Sequence, residues 1–146
     1  MYSATRTWFI RFALAGLLSM AASGAVAEVV TARVSLATQT MHVYIDDTLV
    51  HEWPVSTARR GYKTPPGNYT PYWLDQNHHS SIYDNAPMPY AVFFLGGYAV
   101  HGTTNRAALG RRASHGCVRL LTENARTLFM LIRHSGKQNA RIIVEP

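Results

Sequence analysis

The sequence predicts a mainly β domain with one helix, on three observations. Short runs of alternating apolar and polar residues recur along the chain, the period of strands half-buried in a sheet. Past the N-terminal segment, a single stretch near the C-terminus carries the 3.6-residue apolar spacing of a helix. Glycine, proline, asparagine and aspartate punctuate the runs where turns are needed. At 146 residues, 47% of them hydrophobic, the chain suits one domain with a real core and is short for two.

Residues 1–27 are expected to be a signal peptide outside that domain. Arg6 and Arg11 give a positive start, Phe12 to Met20 an apolar run, and Ala25-Val26-Ala27 a small-x-small cleavage site. The apolar run falls short of the ~20 residues that a spanning helix needs. The mature domain then covers 28–146, exported to a bacterial periplasm or cell envelope.

Val29 to Leu36 alternates as a strand. Thr40 to Ile45 and Thr48 to Val55 flank Asp46-Asp47 as a hairpin. Pro54 assigns its segment to an edge or an end. His42 and His51 fall on outward polar positions. Ser56 to Pro66 reads as a loop, and Tyr69 to Leu74 as a short aromatic strand interrupted by Pro71. Asp75 to Pro89 reads as a long polar connection, a lid or binding loop, whose Trp and Tyr neighbours suit core better than groove. Tyr90 to Leu95 is a continuous apolar run for a buried strand. Gly96-Gly97 bends the chain, and Tyr98 to Val100 lead into His101. Thr103 to Arg112 is a basic loop, followed by Val118 to Leu121. Thr122 is the expected N-cap of a helix to about Arg133, with Ala125, Leu128, Phe129 and Ile132 on its apolar face and Gly136 ending it. Arg141 to Val144 is the last strand.

Lys and Arg total 14 against 8 Asp and Glu, a net charge of +6. Such a surface suits an anionic partner, including peripheral contact with a cell envelope. The charges are scattered and no basic run interleaves with aromatics, so no nucleic-acid role is expected. The sequence does not fix the oligomeric state, and a monomer is the default expectation.

The chemistry concentrates between His101 and Leu120. This stretch holds the only cysteine, Cys117, together with His101 and His115. An exported chain with one cysteine has no internal disulfide partner; an inert buried thiol and an intermolecular disulfide are the alternatives, and the flanking Ser-His-Gly favours a reactive thiol over both. Cys117 is the expected nucleophile. His115 lies two residues away, while His101 ends a strand that a following strand can approach, which makes His101 the expected general base. A base histidine needs its second ring nitrogen held. No Asp or Glu lies between Asn85 and Leu121, so a backbone carbonyl such as that of Gly102 is the expected holder. The N–H of Cys117, with that of Gly116 or His115, would face a developing oxyanion. Arg119, two residues past the cysteine, can bind a carboxylate. Zinc is the rival reading of His78, His79, His101, His115 and Cys117, but their spacing matches no familiar pattern. No metal and no cofactor are expected.

These residues resemble the YkuD-type L,D-transpeptidase catalytic domain. The likeness rests on His101, a spacer, then Ser114-His115-Gly116-Cys117 with Arg119 beyond. TMHVYIDDTLVHEWPVST, KTPPGNY and MPYAVFFLGGYAVHGT support it, so that it covers nearly all of 28–146. The resemblance implies a β-sandwich or barrel-like fold and a Cys/His site in a groove. It implies that the Gly102 carbonyl orients His101, and that His115 and Gly116 shape the site. Ser114, Tyr90, Tyr98 and Arg119 are then the expected substrate contacts. The implied partner is a peptidoglycan tetrapeptide stem: Cys117 attacks the third residue, D-Ala leaves, and an amine takes the acyl group. Water as acceptor, a cleaving relative, a cysteine hydrolase of another fold and a non-catalytic wall-binding domain remain alternatives.

Overall fold

The computed structural model describes residues 26–146. Most of the expected signal peptide lies outside the described residues. In chain order the strands are β1 (Val30–Ser35), β2 (Thr40–Ile45), β3 (Thr48–Pro54), β4 (Gly67–Tyr69), β5 (Trp73–His79), β6 (Pro87–Leu95), β7 (Tyr98–Thr103), β8 (Val118–Leu121) and β9 (Ala140–Glu145), with one α-helix, α1 (Thr122–Ser135). They make two sheets, β3-β2-β1-β9-β4 and β5-β6-β7-β8. The mainly β architecture with one helix is the one the sequence predicts.

Alternation sets the first sheet. Val30, Ala32 and Val34 of β1 are buried, as are Ala140, Ile142 and Val144 of β9. The parallel β1–β9 register places these residues side by side on one inner face. Asp46 and Asp47 join β2 to β3 with φ of 46° and 66°, the left-handed pair that a tight hairpin requires. β3 is an edge strand with Pro54 at its end, as expected.

The core lies between this face, the inner face of the second sheet and α1. Val92, Phe94, Val100, Val118 and Leu120 supply the sheet side, and Leu128, Phe129 and Ile132 the helix side. β6 and β7 are buried on both faces. A second cluster, Met88, Ala91, Phe93 and Ala99, covers the outer face and packs against Cys117. Dual burial explains why β6 reads as an unbroken apolar run.

The structure corrects three expectations. Asp75 to Pro89 is no loop: β5 runs to His79, residues 80–86 connect, and β6 begins at Pro87. Antiparallel pairing with β6 satisfies the backbone of a sequence too polar to announce a strand. Tyr69 to Leu74 splits at Pro71, with Tyr69 in the first sheet and Trp73 in the second. Thr122 is the first helical residue rather than the cap; Leu121 holds the cap position, and the Thr122 hydroxyl is buried without a partner. Gly136 ends α1 as expected, with φ of 88°.

Candidate active site

The site forms where β7 and β8 run parallel. Their register sets His101 beside Arg119 and Val100 beside Val118. Val100 and Val118 point into the core, so His101 and Arg119 share the opposite face. Cys117, just before β8, lies two residues from Arg119 and faces the same way. The expectation that His101 and Cys117 meet across strands is thus refined. Arg119 is the direct neighbour of His101, and the thiol lies one pleat earlier.

A cavity of about 610 Å³ opens on this face. His101, His115, Cys117, Arg119 and Tyr98 line it, together with Gly97 and Thr103. Its other wall is the β5–β6 connection, including Ile82, Tyr83 and Asp84, with Pro87 and Met88 at the start of β6. His101 is 7% exposed. Its Nδ1 lies 2.9 Å from the Gly102 carbonyl, so Nδ1–H donates and the Nε2 lone pair is left for the cavity. Burial lowers the His101 pKa from 6.5 to about 4, against the Gly102 carbonyl and helped by Arg119 and His78. Burial also raises the Cys117 thiol, opposed by the Ala99 backbone and by Arg119. The thiol lies 3.8 Å from the Gly97 carbonyl. Both shifts favour the uncharged thiol and the neutral imidazole.

The turn into Cys117 is braced from two sides. Ser114 is fully buried. Its hydroxyl donates to the Cys117 carbonyl at 2.6 Å and accepts the Gly116 N–H at 3.0 Å. Thr64 donates to the Gly116 carbonyl at 2.7 Å and accepts the Ala58 N–H at 3.0 Å. Residues 56–59, which read as loop, pair with both ends of the motif: Ser56 bridges Arg119 and Ala58 bridges Ser114. Gln39, buried with φ of 55°, clasps Thr57 through both ends of its amide.

Four expected site residues do not line the cavity. Ser114 braces the turn, because its hydroxyl both donates and accepts inside the chain. Gly102 acts through its carbonyl on His101. The Gly116 N–H donates to the Ser114 hydroxyl, and Gly116 shapes the turn through its φ of 135°. Tyr90 is turned away. Its left-handed φ of 56° interrupts the alternation of β6, and its ring packs edge-on against Phe129, 5.7 Å between centroids. Of the zinc candidates, His78 pairs with Asp75 at 3.0 Å and His79 faces the Asn77 carbonyl at 3.1 Å. Among the described residues no group of three or more His, Cys, Asp and Glu is placed to hold a metal.

Sequence reading missed Tyr62 and Tyr83. The His115 ring stacks on Tyr83 at 4.4 Å and lies against Tyr62 at 4.6 Å. Tyr83 sits in the segment read as a binding loop, so the signal was the segment and not the residue.

Removing the Ser114 hydroxyl tests the brace. Ser114→Ala leaves a buried N–H and C=O unpaired and is expected to cost about 2 kcal/mol in denaturant unfolding. An unchanged midpoint would show that the turn holds without it.

Two packed β-sheets and one helix, with a thiol and a carbonyl-held imidazole in a single outer-face cavity, define a β-sandwich domain with a thiol–imidazole groove. The chain belongs to the L,D-transpeptidase catalytic-domain family, YkuD, whose profile matches residues 30–143. It is 28% identical over 94 residues to the YkuD protein of Bacillus licheniformis, covering 60% of this chain and 50% of that protein. A crystal structure of an L,D-transpeptidase from Mycobacterium tuberculosis H37Rv is similar at a TM-score of 0.73 and 27% identity, covering 82% of this chain and 58% of that one. L,D-transpeptidase 3 of Mycobacterium tuberculosis, solved with a faropenem-derived adduct, is similar at 0.71 and 25%, covering 82% and 61%. The chain therefore spans about half to three fifths of the length of these relatives.

Proposed function

We propose that Cys117 is the nucleophile of a transpeptidase acting on peptidoglycan tetrapeptide stems in the periplasm or cell envelope, reached by means of the N-terminal signal. The observation that carries this reading is the His101 ring, held at Nδ1 by Gly102 with its basic Nε2 left for the thiol's cavity. His101 takes the Cys117 proton as sulfur attacks the carbonyl carbon of the third stem residue. The oxyanion gathers on the side of the Cys117 and His115 N–H groups. The C–N bond to D-Ala breaks, His101 returns the proton to the leaving amine, and a thioester remains. An incoming amine, deprotonated by His101, takes the acyl group and frees the thiol. Arg119 and Tyr98 hold the donor in the groove. No metal or cofactor enters these steps.

Mass spectrometry of the protein with disaccharide-tetrapeptide fragments tests this. The expected result is D-Ala release with a cross-linked dimer, and neither product with Cys117→Ala. Release of D-Ala without a dimer would make water the acceptor and the protein a carboxypeptidase. An unaltered substrate with no adduct on Cys117 would overturn the tetrapeptide reading. Acylation by a carbapenem or faropenem, followed as a mass increase on Cys117, reads the nucleophile separately from its substrate.

A further inference from the structure

The cavity carries a carboxylate that this mechanism does not use. Its lining holds one carboxylate, Asp84, and one guanidinium, Arg119. The ion pairs among the described residues join other side chains, so neither charge is neutralised by a neighbour there. Arg119 stands on the sheet, two residues past Cys117. Asp84 stands on the opposite wall, in the β5–β6 connection.

That connection is a built turn. The Ser80 hydroxyl accepts the N–H groups of Ile82 and Tyr83 at 3.2 and 3.0 Å. Ser80 and Ala86 close its base at 2.9 Å. The stack of Tyr83 on His115 ties the turn to the cysteine motif. Asp84 and Asn85 then adopt left-handed φ of 45° and 52°. Aspartate and asparagine tolerate this region better than other non-glycine residues, yet it still costs energy that the surrounding contacts must offset. The result is a hydrogen-bonded turn that sets Asp84 in the lining of the cavity.

Two unpaired charges of opposite sign on facing walls select a ligand with both. A ligand with one charge, or none, leaves the other side chain uncompensated as water is displaced. We infer that Asp84 and Arg119 read a zwitterionic α-amino acid centre, Asp84 taking its ammonium and Arg119 its carboxylate. The identity of the ligand rests on the stem-peptide reading. The centre has two sources: the side-chain end of a diamino dicarboxylic third residue in the donor, or a free amino acid serving as acceptor.

Calorimetric titration of the Cys117→Ala protein, which holds ligand without turnover, tests the inference with and without Asp84→Asn. Asparagine keeps the tolerance for left-handed φ, so the turn is expected to survive. The probes are a tetrapeptide with diaminopimelate third, the same peptide N-acetylated on its side-chain amine, D-alanine and N-acetyl-D-alanine. Asp84→Asn is expected to weaken a zwitterionic probe by about fivefold to tenfold and to leave its acetylated form unchanged. Loss with the tetrapeptide assigns the donor; loss with D-alanine assigns the acceptor. Equal binding by both proteins, or no binding of either zwitterion, overturns the inference. β-Lactam acylation of the protein with Cys117 intact is measured alongside. Its failure, with the Asp84 effect retained, would sink the nucleophile and leave the zwitterion site standing.

Discussion

Replacing His101 with alanine is expected to slow acylation of Cys117 by about 10²–10⁴-fold, the usual worth of a positioned general base. The pH dependence separates this from simple structural damage. Burial holds His101 neutral down to about 4, and burial raises the Cys117 thiol. In the native protein the rate should therefore be flat from about pH 5 through neutrality, with His101 taking the proton as the bond forms. With His101→Ala the only reactive form is spontaneous thiolate, so the rate should climb about tenfold per pH unit. A resting thiolate–imidazolium pair would instead give thiolate ultraviolet absorbance at neutral pH in the native protein, and the mechanism above would be wrong. The same histidine has a stability signature. Its pKa is 6.5 unfolded and about 4 folded, so the unfolded chain binds the extra proton between these values. Its contribution is intact above about 6.5 and is lost as pH falls toward 4, a span worth about 3 kcal/mol. Denaturant unfolding across that window should show a shallower loss for His101→Ala than for the native protein.

Gly116→Ala is expected to remove both stability and activity, costing about 3 kcal/mol or more. The φ of 135° is one that side-chain-bearing residues rarely adopt. An added methyl would also lie 2.7 Å from Cε1 of Tyr98 and 3.0 Å from the Lys63 carbonyl. A ring can shift, but the carbonyl belongs to the strap whose Thr64 braces Gly116. Relief would have to move the backbone N–H and thiol of Cys117 together. Gly97→Ala is the comparison for stability: nothing lies within 4 Å of the position its methyl would take. Equal unfolding midpoints for the two variants would show that the turn relaxes freely. Reduced β-lactam acylation by residual folded Gly116→Ala would tie the turn geometry to the chemistry.

Much of this protein was legible locally. The hairpin at Asp46-Asp47, the alternation of β1, the buried run of β6 and the apolar face of α1 follow from side-chain period and turn chemistry, which act between near neighbours. So does the grouping of Cys117, His115 and His101 around glycines, and the need for a backbone carbonyl where no carboxylate stands near.

Other features needed the fold. β5 is polar, and only the ladder with β6 makes it a strand. Tyr90 sits beside a buried run, and its left-handed backbone turns it to Phe129. Ser114 lies close to the cysteine in sequence, but only the fold shows that its hydroxyl braces the turn with two internal hydrogen bonds. Gln39, Thr57 and Thr64 brace a motif far along the chain, at separations that no local period encodes. By itself the sequence determined which chemical groups are present and the segment that holds them. The tertiary structure decided which of those groups face the cavity, because parallel pairing of β7 with β8 and burial of β6 and β7 on both faces choose a face, withdraw water from His101 and Cys117, and bring Asp84 and Arg119 to one cavity.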